Sequence, residues 1–228
     1  MTRILALETS TKNCSVAIFE NGKLIDAIEE GGAYSHAEKL ALFVDQLLSR
    51  NKLDYQDLKA VAVSKGPGSY TGLRIGVSLA KGLCYSLSLP LISIETLQHM
   101  AWGARKEVKQ EEAFYCPMID ARRMEVYAAI YNSDLELVKP TSADIIEEDS
   151  YRDFIAQKPV YFFGDGAEKC KEILKNERAN FIHLNLPSSK SMGEIAQKNF
   201  VQNAFEDLAY FEPFYLKEFI AIKPKKLV

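Results

Sequence analysis

The sequence contains few of the residues that build metal centres and hydrolase sites. Its 228 residues include only three histidines and four cysteines. No His-Glu-x-x-His or Cys-x-x-Cys spacing occurs, so the sequence predicts no zinc peptidase site, no thiolate metal site and no disulfide framework. A Gly-x-Ser-x-Gly elbow is also missing, and with it the nucleophile of a serine hydrolase. Cysteines scattered in this way fit a reducing compartment.

The chain also lacks a large excess of charge and a long apolar run. It carries 28 basic and 31 acidic residues, a formal net charge of -3, which argues against binding nucleic acid over a broad surface by charge alone. The most apolar stretch contains Arg74 and Lys81, and the first apolar run ends at Glu8, too early for a signal peptide. We therefore expect a cytoplasmic protein that is neither secreted nor membrane-spanning. With 47% hydrophobic residues, it can bury a core.

The first half of the chain has the pattern of a three-stranded meander followed by alternating helices and strands. Asn21-Gly22 separates two apolar runs, which is the strongest short signal for a β-hairpin. Capping-box spacing at Ser35 and helical periodicity predict a first helix over 37–48. A second, long helix is predicted over 70–88. The predicted order of this half is βββαβαβα.

The second half repeats this order less regularly. Glu8 and Asp120 each close the first strand of their half, and turn asparagines follow at nearly equal distances. Such self-similarity indicates an internal duplication. The predicted fold is therefore α/β and two-lobed, with mixed sheets flanked by helices. One RNase H-like lobe is expected at 1–105, carrying the partner-binding helices, and a second at 106–228, carrying the carboxy-terminal tail.

Two such lobes, each with an acid after its first strand, resemble the actin, Hsp70 and sugar-kinase (ASKHA) superfamily. In that superfamily the two first hairpins clamp the phosphates of ATP, and small residues beside each acid let backbone N–H groups reach the phosphate oxygens. The second loop here carries Arg122 and Arg123 instead, so we predict a degenerate cleft, with weak nucleotide binding left open. The alternative is an ATP-dependent kinase or ATPase that uses Glu8 and Asp120. The residues of the candidate cleft are Glu8, Thr9, Ser10, Asp120, Arg122, Gly164 and Gly166.

The run from Lys65 to Arg74, KGPGSYTGLR, is the most distinctive part of the sequence. A strand leads through the Gly-Pro-Gly turn into a helix, so amide groups and the positive end of that helix could face an anion. The Lys-Ser/Thr pair of a Walker loop is missing, which argues against a nucleoside triphosphate at this turn. A tight turn that only places the helix is the other interpretation.

The helix after this turn is apolar on more than one side, and its small residues recur every four positions. Such a helix must be covered on more than one side. Either its own chain wraps it, or it pairs with the 37–48 helix to form a subunit interface, in which case Val77→Arg or Gly76→Arg abolishes pairing. The candidate interface residues are Ala37, Leu40, Ala41, Val44, Leu48, Gly72, Leu73, Gly76, Val77, Ala80, Leu83 and Cys84.

Four stretches together resemble the bacterial TsaB (YeaZ) family. They are ILALETS at 4–10, KGPGSYTGLRIGVSLAK at 65–81, DARR with the following EVY at 120–127, and PFYLK at 213–217. The resemblance spans nearly the whole chain. It implies the threonylcarbamoyladenosine (t6A) pathway, which modifies the adenosine beside the anticodon of tRNA.

The resemblance also implies a set of partners. In that family this subunit does not perform the transfer; its amino-terminal helices pair with the paralogue TsaD, or with a second copy when TsaD is absent. It helps to recruit TsaE, which uses the ATP, and it meets tRNA through the complex. We therefore expect no catalytic residue, metal or cofactor in this chain. A third hypothesis, a glycopeptidase, has no metal pair or nucleophile to support it, and the tail after Lys217 has no known family role.

Overall fold

The computed structural model describes residues 1–32, 36–184 and 187–217. The cap predicted at Ser35 and the tail after Lys217 lie outside these ranges. The first half of the chain folds in the predicted order βββαβαβα, and its strands form one sheet ordered β3-β2-β1-β4-β5. The elements are β1 (Arg3–Glu8), β2 (Cys14–Glu20), β3 (Lys23–Glu30), α1 (His36–Arg50), β4 (Ala60–Gly66), α2 (Tyr70–Leu87), β5 (Leu91–Glu95) and α3 (Thr96–Val108).

The second half builds another five-stranded mixed sheet, ordered β10-β9-β6-β7-β8, so the predicted pair of mixed sheets is confirmed. Its first three strands form the same antiparallel meander as β1 to β3. Pro140 is tolerated in β8 because β8 is an edge strand. The elements are β6 (Phe114–Asp120), β7 (Glu125–Tyr131), β8 (Leu137–Ile145), α4 (Arg152–Gln157), β9 (Val160–Phe163), β10 (Ala179–Phe181) and α5 (Gly193–Val201).

The first sheet is covered by helices on both faces. Leu5 and Leu7 of β1 point to the face that packs against α1 and α2, whereas Ile4 and Ala6 point to the face that packs against α5. All four side chains are fully buried. Burial on both faces explains why β1 is a continuous apolar run rather than an alternating one.

The two halves of the chain exchange helices. The helix α3 ends the first half but packs on the second sheet, where Leu97 contacts the cluster around Tyr115. Conversely, α5 ends the second half but packs on the first sheet, where Ile195 joins the cluster around Ile4. The boundary at residue 105 stays a prediction, and the packing crosses it in both directions. Within the described ranges, no helix combines the length and apolar character that crossing a bilayer requires.

Candidate functional site

The ends of β1 and β4 bring the loop that contains Thr9 against α2. These strands are parallel neighbours, so the residues that follow them lie at one edge of the sheet. Thr9 Oγ1 donates a hydrogen bond of 2.7 Å to the Gly72 carbonyl oxygen. A Cβ atom at Gly72 would lie 2.1 Å from the Thr9 carbonyl oxygen, and one at Gly76 would lie 2.3 Å from Thr9 Oγ1. Gly72 and Gly76 thus allow the Thr9 loop of the same chain to pack directly against α2.

The same loop holds the Gly-Pro-Gly turn. The Ser69 amide donates a hydrogen bond of 2.6 Å to the Ser10 carbonyl oxygen, and a Cβ atom at Gly68 would lie 2.4 Å from that oxygen. The Ser69 hydroxyl caps α2 by accepting a hydrogen bond of 3.2 Å from the Gly72 amide. These groups already bind the chain itself. The structure therefore favours the interpretation of a tight turn that places α2, and not that of an anion-binding site.

Glu8, the first acid predicted to line the cleft, is fully buried and paired. Its Oε2 lies 2.5 Å from His99 Nε2, and neither side chain is exposed. Its Oε1 accepts a hydrogen bond of 2.6 Å from the Ser10 amide. Burial raises the pKa of this carboxyl. Attraction to His99 and the hydrogen bonds with His99 and Ser10 together lower it more, so the pKa lies below the ordinary 4.5. Glu8 is therefore an ionised group of the core.

The buried pair extends to a third side chain. His99 Nδ1 lies 2.9 Å from Ser191 Oγ, which gives the order acid, imidazole and hydroxyl found in hydrolase triads. Ser191 is only 9% exposed, and its hydroxyl donates a hydrogen bond of 2.8 Å to the Ser188 carbonyl oxygen. The hydroxyl is thus engaged as a structural donor. Nowhere in the described ranges do three or more His, Cys, Asp or Glu side chains stand together as metal ligands do.

Asp120, the second predicted acid, lies at the surface and is held by its own lobe. Its carboxylate forms an ion pair with Lys169 and accepts a hydrogen bond of 3.0 Å from the Arg122 amide. The Asp120 amide donates a hydrogen bond of 3.0 Å to Asp165 Oδ1. Partial burial raises the pKa of Asp120, while Lys169 and the Arg122 amide together lower it more, so it lies below the ordinary 3.8. Among the described residues, no hydrogen bond or ion pair joins this carboxylate to Glu8.

The other predicted residues of the second loop have packing roles. Arg122 is exposed and adopts a φ of 71°, a turn conformation that favours glycine. A Cβ atom at Gly164 would lie 2.3 Å from the Met118 carbonyl oxygen, and one at Gly166 would lie 2.8 Å from the Ile119 carbonyl carbon. Gly164 and Gly166 therefore let their turn pack against β6.

Most of the predicted interface residues belong to the core of this chain. Nine of the twelve are buried. Ala37 and Ala41 are exposed, and Leu83 is partly buried. A charge at Val77 or Gly76 would disrupt this core, which corrects the expectation that Val77→Arg or Gly76→Arg can report on pairing. The nine buried residues are Leu40, Val44, Leu48, Gly72, Leu73, Gly76, Val77, Ala80 and Cys84.

The outward-facing parts of α1 and α2 carry apolar and small residues. Leu42 and Tyr85 are 56% and 83% exposed, and a Cβ atom at Gly82 would meet no atom within 4 Å. The helices α1 and α2 contact each other. That these helices bind a partner stays a prediction, and the exposed residues are the ones able to do so. The outer helix surface consists of Ala37, Ala41, Leu42, Ser78, Gly82, Tyr85 and Ser86.

Residues 206–217, here called the terminal strap, connect the two lobes. At its start, the Glu206 amide donates a hydrogen bond of 2.9 Å to the carbonyl oxygen of Leu91 in the first sheet. At its end, Lys217 forms an ion pair with Glu125, the first residue of β7 in the second sheet. The strap therefore spans from one lobe to the other.

The strap also joins two of the distinctive stretches of the sequence. The Phe214 amide donates a hydrogen bond of 2.7 Å to the Lys65 carbonyl oxygen. Arg74 Nε donates to the Tyr215 hydroxyl at 3.0 Å, and the Arg74 guanidinium lies 4.1 Å from the centre of the Tyr70 ring. PFYLK and KGPGSYTGLR thus form one packed unit, a contact that no local pattern could predict.

Comparisons with known proteins match this architecture. A family model for TsaD, tRNA N6-adenosine threonylcarbamoyltransferase, matches residues 30–225. The chain is 39% identical over 132 residues to the tRNA threonylcarbamoyladenosine biosynthesis protein TsaB of Escherichia coli (strain K12), a match that covers 58% of this chain and 56% of that protein. The protein of the same name from Haemophilus influenzae is 30% identical over 239 residues, covering 96% of this chain and 95% of the relative.

A solved structure extends the likeness to three dimensions. YeaZ from Pseudomonas aeruginosa superposes with a TM-score of 0.83 at 25% sequence identity, covering 95% of this chain and 100% of that chain. Together with the two mixed sheets, this likeness confirms the predicted two-lobed, actin-like fold. The chain belongs to the TsaB (YeaZ) family of tRNA threonylcarbamoyladenosine biosynthesis proteins.

Proposed function

We propose that this chain is a non-catalytic partner subunit of the machinery that attaches a threonylcarbamoyl group to the adenosine beside the anticodon of tRNA. In this proposal TsaD performs the transfer, this chain binds and stabilises TsaD, and the assembly recruits the ATPase TsaE. Family membership supports the pathway. The burial of Glu8 supports a non-catalytic role for this chain, and the outer helix surface supports its binding to TsaD.

The observation that carries the non-catalytic role is the burial of Glu8 against His99. An acid that orders a metal-bound water for phosphate chemistry must be accessible to that water. The two carboxylate oxygens of Glu8 are instead engaged by His99 and by the Ser10 amide. A kinase or ATPase mechanism through Glu8 requires this pair to separate, which leaves a buried charge unpaired at a cost of about 3–5 kcal/mol.

The outer helix surface supports binding of a helical partner. Exposed aromatic and apolar residues such as Tyr85 and Leu42 are the types that anchor protein interfaces. Ser78, Gly82 and Ser86 are exposed at four-residue spacing, so a partner helix can approach closely. An exposed glycine inside a helix costs about 1 kcal/mol relative to alanine. Close approach by helices of TsaD, or of a second copy in its absence, would account for that cost.

The test is to mix the purified chain with TsaD and TsaE, with and without ATP, and to measure the masses of the complexes. Gly82→Arg should fold, because the Cβ position is open and arginine is a better helix former than glycine. A charge at a central contact should weaken the complex with TsaD by about thirtyfold or more, the effect of an interface hot spot. Retained pairing of this folded variant would contradict the proposed interface.

Val201→Arg is the matched control for that experiment. Val201 is 68% exposed, and it lies on α5, which packs on the opposite face of the first sheet from α1 and α2. This variant should pair with TsaD as the unmodified chain does. Separately, saturable binding of ATP with magnesium to the isolated chain, lost in Glu8→Ala, would contradict the non-catalytic role and favour the kinase or ATPase alternative.

A further inference from the structure

A cavity of about 520 Å³ lies between the two lobes, apart from the Glu8 and Asp120 loops. Lys65 and Glu95, at the ends of β4 and β5, line one side of it, and Tyr131, the last residue of β7, lines the other. Ligands of α/β proteins commonly bind outside the carboxyl ends of parallel strands. We call this space the interlobe cavity.

The charged groups of the interlobe cavity leave one negative charge in excess. The Lys65 ammonium lies 3.5 Å from Glu95 Oε1, so these two charges offset each other. Glu206 also lines the cavity, and its carboxylate accepts a hydrogen bond from the Ser93 hydroxyl. No cation in the described ranges forms an ion pair with Glu206. The cavity is therefore suited to a group that brings one positive charge.

An unsatisfied buried hydroxyl provides a second, independent sign of a ligand. Tyr131 is only 2% exposed, and its hydroxyl has no hydrogen-bond partner among the described residues. Burial raises the pKa of Tyr131, and the nearby Glu95 carboxylate raises it further. A buried polar group without a hydrogen-bond partner destabilises the folded chain. A ligand that bonds to this hydroxyl removes that destabilisation.

Apolar side chains also line the cavity. Leu135, Leu137 and Phe205 line it. Leu137 and Phe205 are 50% and 38% exposed, so they offer surface that a ligand can cover. Each methylene group of a ligand that covers this apolar surface strengthens binding. The cavity thus combines carboxylates with apolar side chains.

We propose that the interlobe cavity binds a small organic cation, a primary ammonium or guanidinium group on a short apolar arm. Glu206 and Glu95 contact the charged end, the Tyr131 hydroxyl bonds to it, and the arm lies on Leu137 and Phe205. This chemistry is shared by free amines and by the lysine or arginine side chains of a partner protein. The site is independent of the proposed pairing with TsaD.

The test is a titration of the purified full-length chain, followed by NMR shifts, with n-butylammonium and with n-butyrate and n-butanol as charge controls. The ammonium should bind saturably and the butyrate should not. Glu206→Gln should weaken binding about tenfold, as expected for loss of a charged hydrogen bond, and Tyr131→Phe about fivefold. Nα-acetyl-lysine methylamide, which mimics a lysine side chain in a protein, distinguishes a free amine from a partner's side chain as the natural ligand. Tighter binding of this probe than of n-butylammonium favours a partner's side chain.

Glu212→Gln is the matched control, since Glu212 is an exposed carboxylate on the same terminal strap that does not line the cavity. It should bind n-butylammonium as the unmodified chain does, and thermal unfolding should show that every variant is folded. Tyr131→Phe removes an unsatisfied hydroxyl, so its stability should not fall. Equal binding of butyrate, no saturable binding of the ammonium, or identical affinity in Glu206→Gln would each overturn the proposal.

Discussion

The two acid-bearing loops occupy matching positions in the two lobes but are stabilised in opposite ways. Glu8 is fully buried and pairs with a histidine 91 residues further along the chain. Asp120 is exposed and pairs with Lys169 of its own lobe. The first loop is thus part of the protein core, whereas the second is a surface turn. Duplicated lobes can therefore keep an acidic residue at matching positions while its burial and its partner differ.

The largest contrast between the loops is expected when the partner of each acid is removed. His99→Leu leaves the Glu8 charge buried and unpaired, so the free energy of unfolding should fall by about 3–5 kcal/mol. Lys169→Ala breaks a partly exposed ion pair and two hydrogen bonds from the ammonium to the Arg123 and Glu125 carbonyl oxygens, and should cost less, about 1–2 kcal/mol. Urea unfolding followed by circular dichroism measures both. Adding Glu8→Gln to His99→Leu should restore part of the loss, and equal losses in the two single variants would contradict the contrast.

A smaller effect is expected at the glycines that support the first loop. Gly76→Ala places a Cβ atom 2.3 Å from Thr9 Oγ1, so the loop must shift, and overpacking of this kind costs about 1–3 kcal/mol. Gly82→Ala is the control, because its Cβ atom meets open space and helix propensity should stabilise the protein by about 0.5–1 kcal/mol. If both variants unfold at the same urea concentration, the loop does not rest on α2 as described.

The smallest expected difference lies in the response to acid. The pKa of Glu8 is lower in the folded protein than its ordinary 4.5, so ionised Glu8 stabilises the fold above pH 4.5. That contribution is lost as the pH falls from 4.5 towards the lower folded pKa, with a slope of at most about 1.4 kcal/mol per pH unit. Urea unfolding at several acidic pH values should show a shallower loss in Glu8→Gln. Asp120→Asn should change the slope less, because water screens its carboxylate.

Features set by short-range patterns could be predicted from the sequence. The Asn21-Gly22 signal is the turn between β2 and β3, and the periodicity over 37–48 lies within α1. The acids were also placed correctly at the ends of β1 and β6. Each of these features is determined by residues that are close together in the sequence, so a short stretch of sequence is enough to predict it.

Features set by long-range packing could not be predicted in this way. Periodicity marks an apolar face but not what covers it, so Gly72 and Gly76 stand among the candidate interface residues although their neighbour is Thr9, on a loop more than 60 residues earlier. The partner of Glu8 was missed because a single histidine on α3 is most simply a packing residue. The exchange of α3 and α5 between sheets depends on the whole topology.

The terminal strap has a mechanical consequence. It is fixed to Leu91 on the first lobe and to Glu125 on the second, and the buried link from Glu8 to His99 fastens α3 to the end of β1. A clamshell movement, in which two lobes shut around a substrate, would have to release these attachments together. These contacts therefore oppose an opening and closing movement of the two lobes.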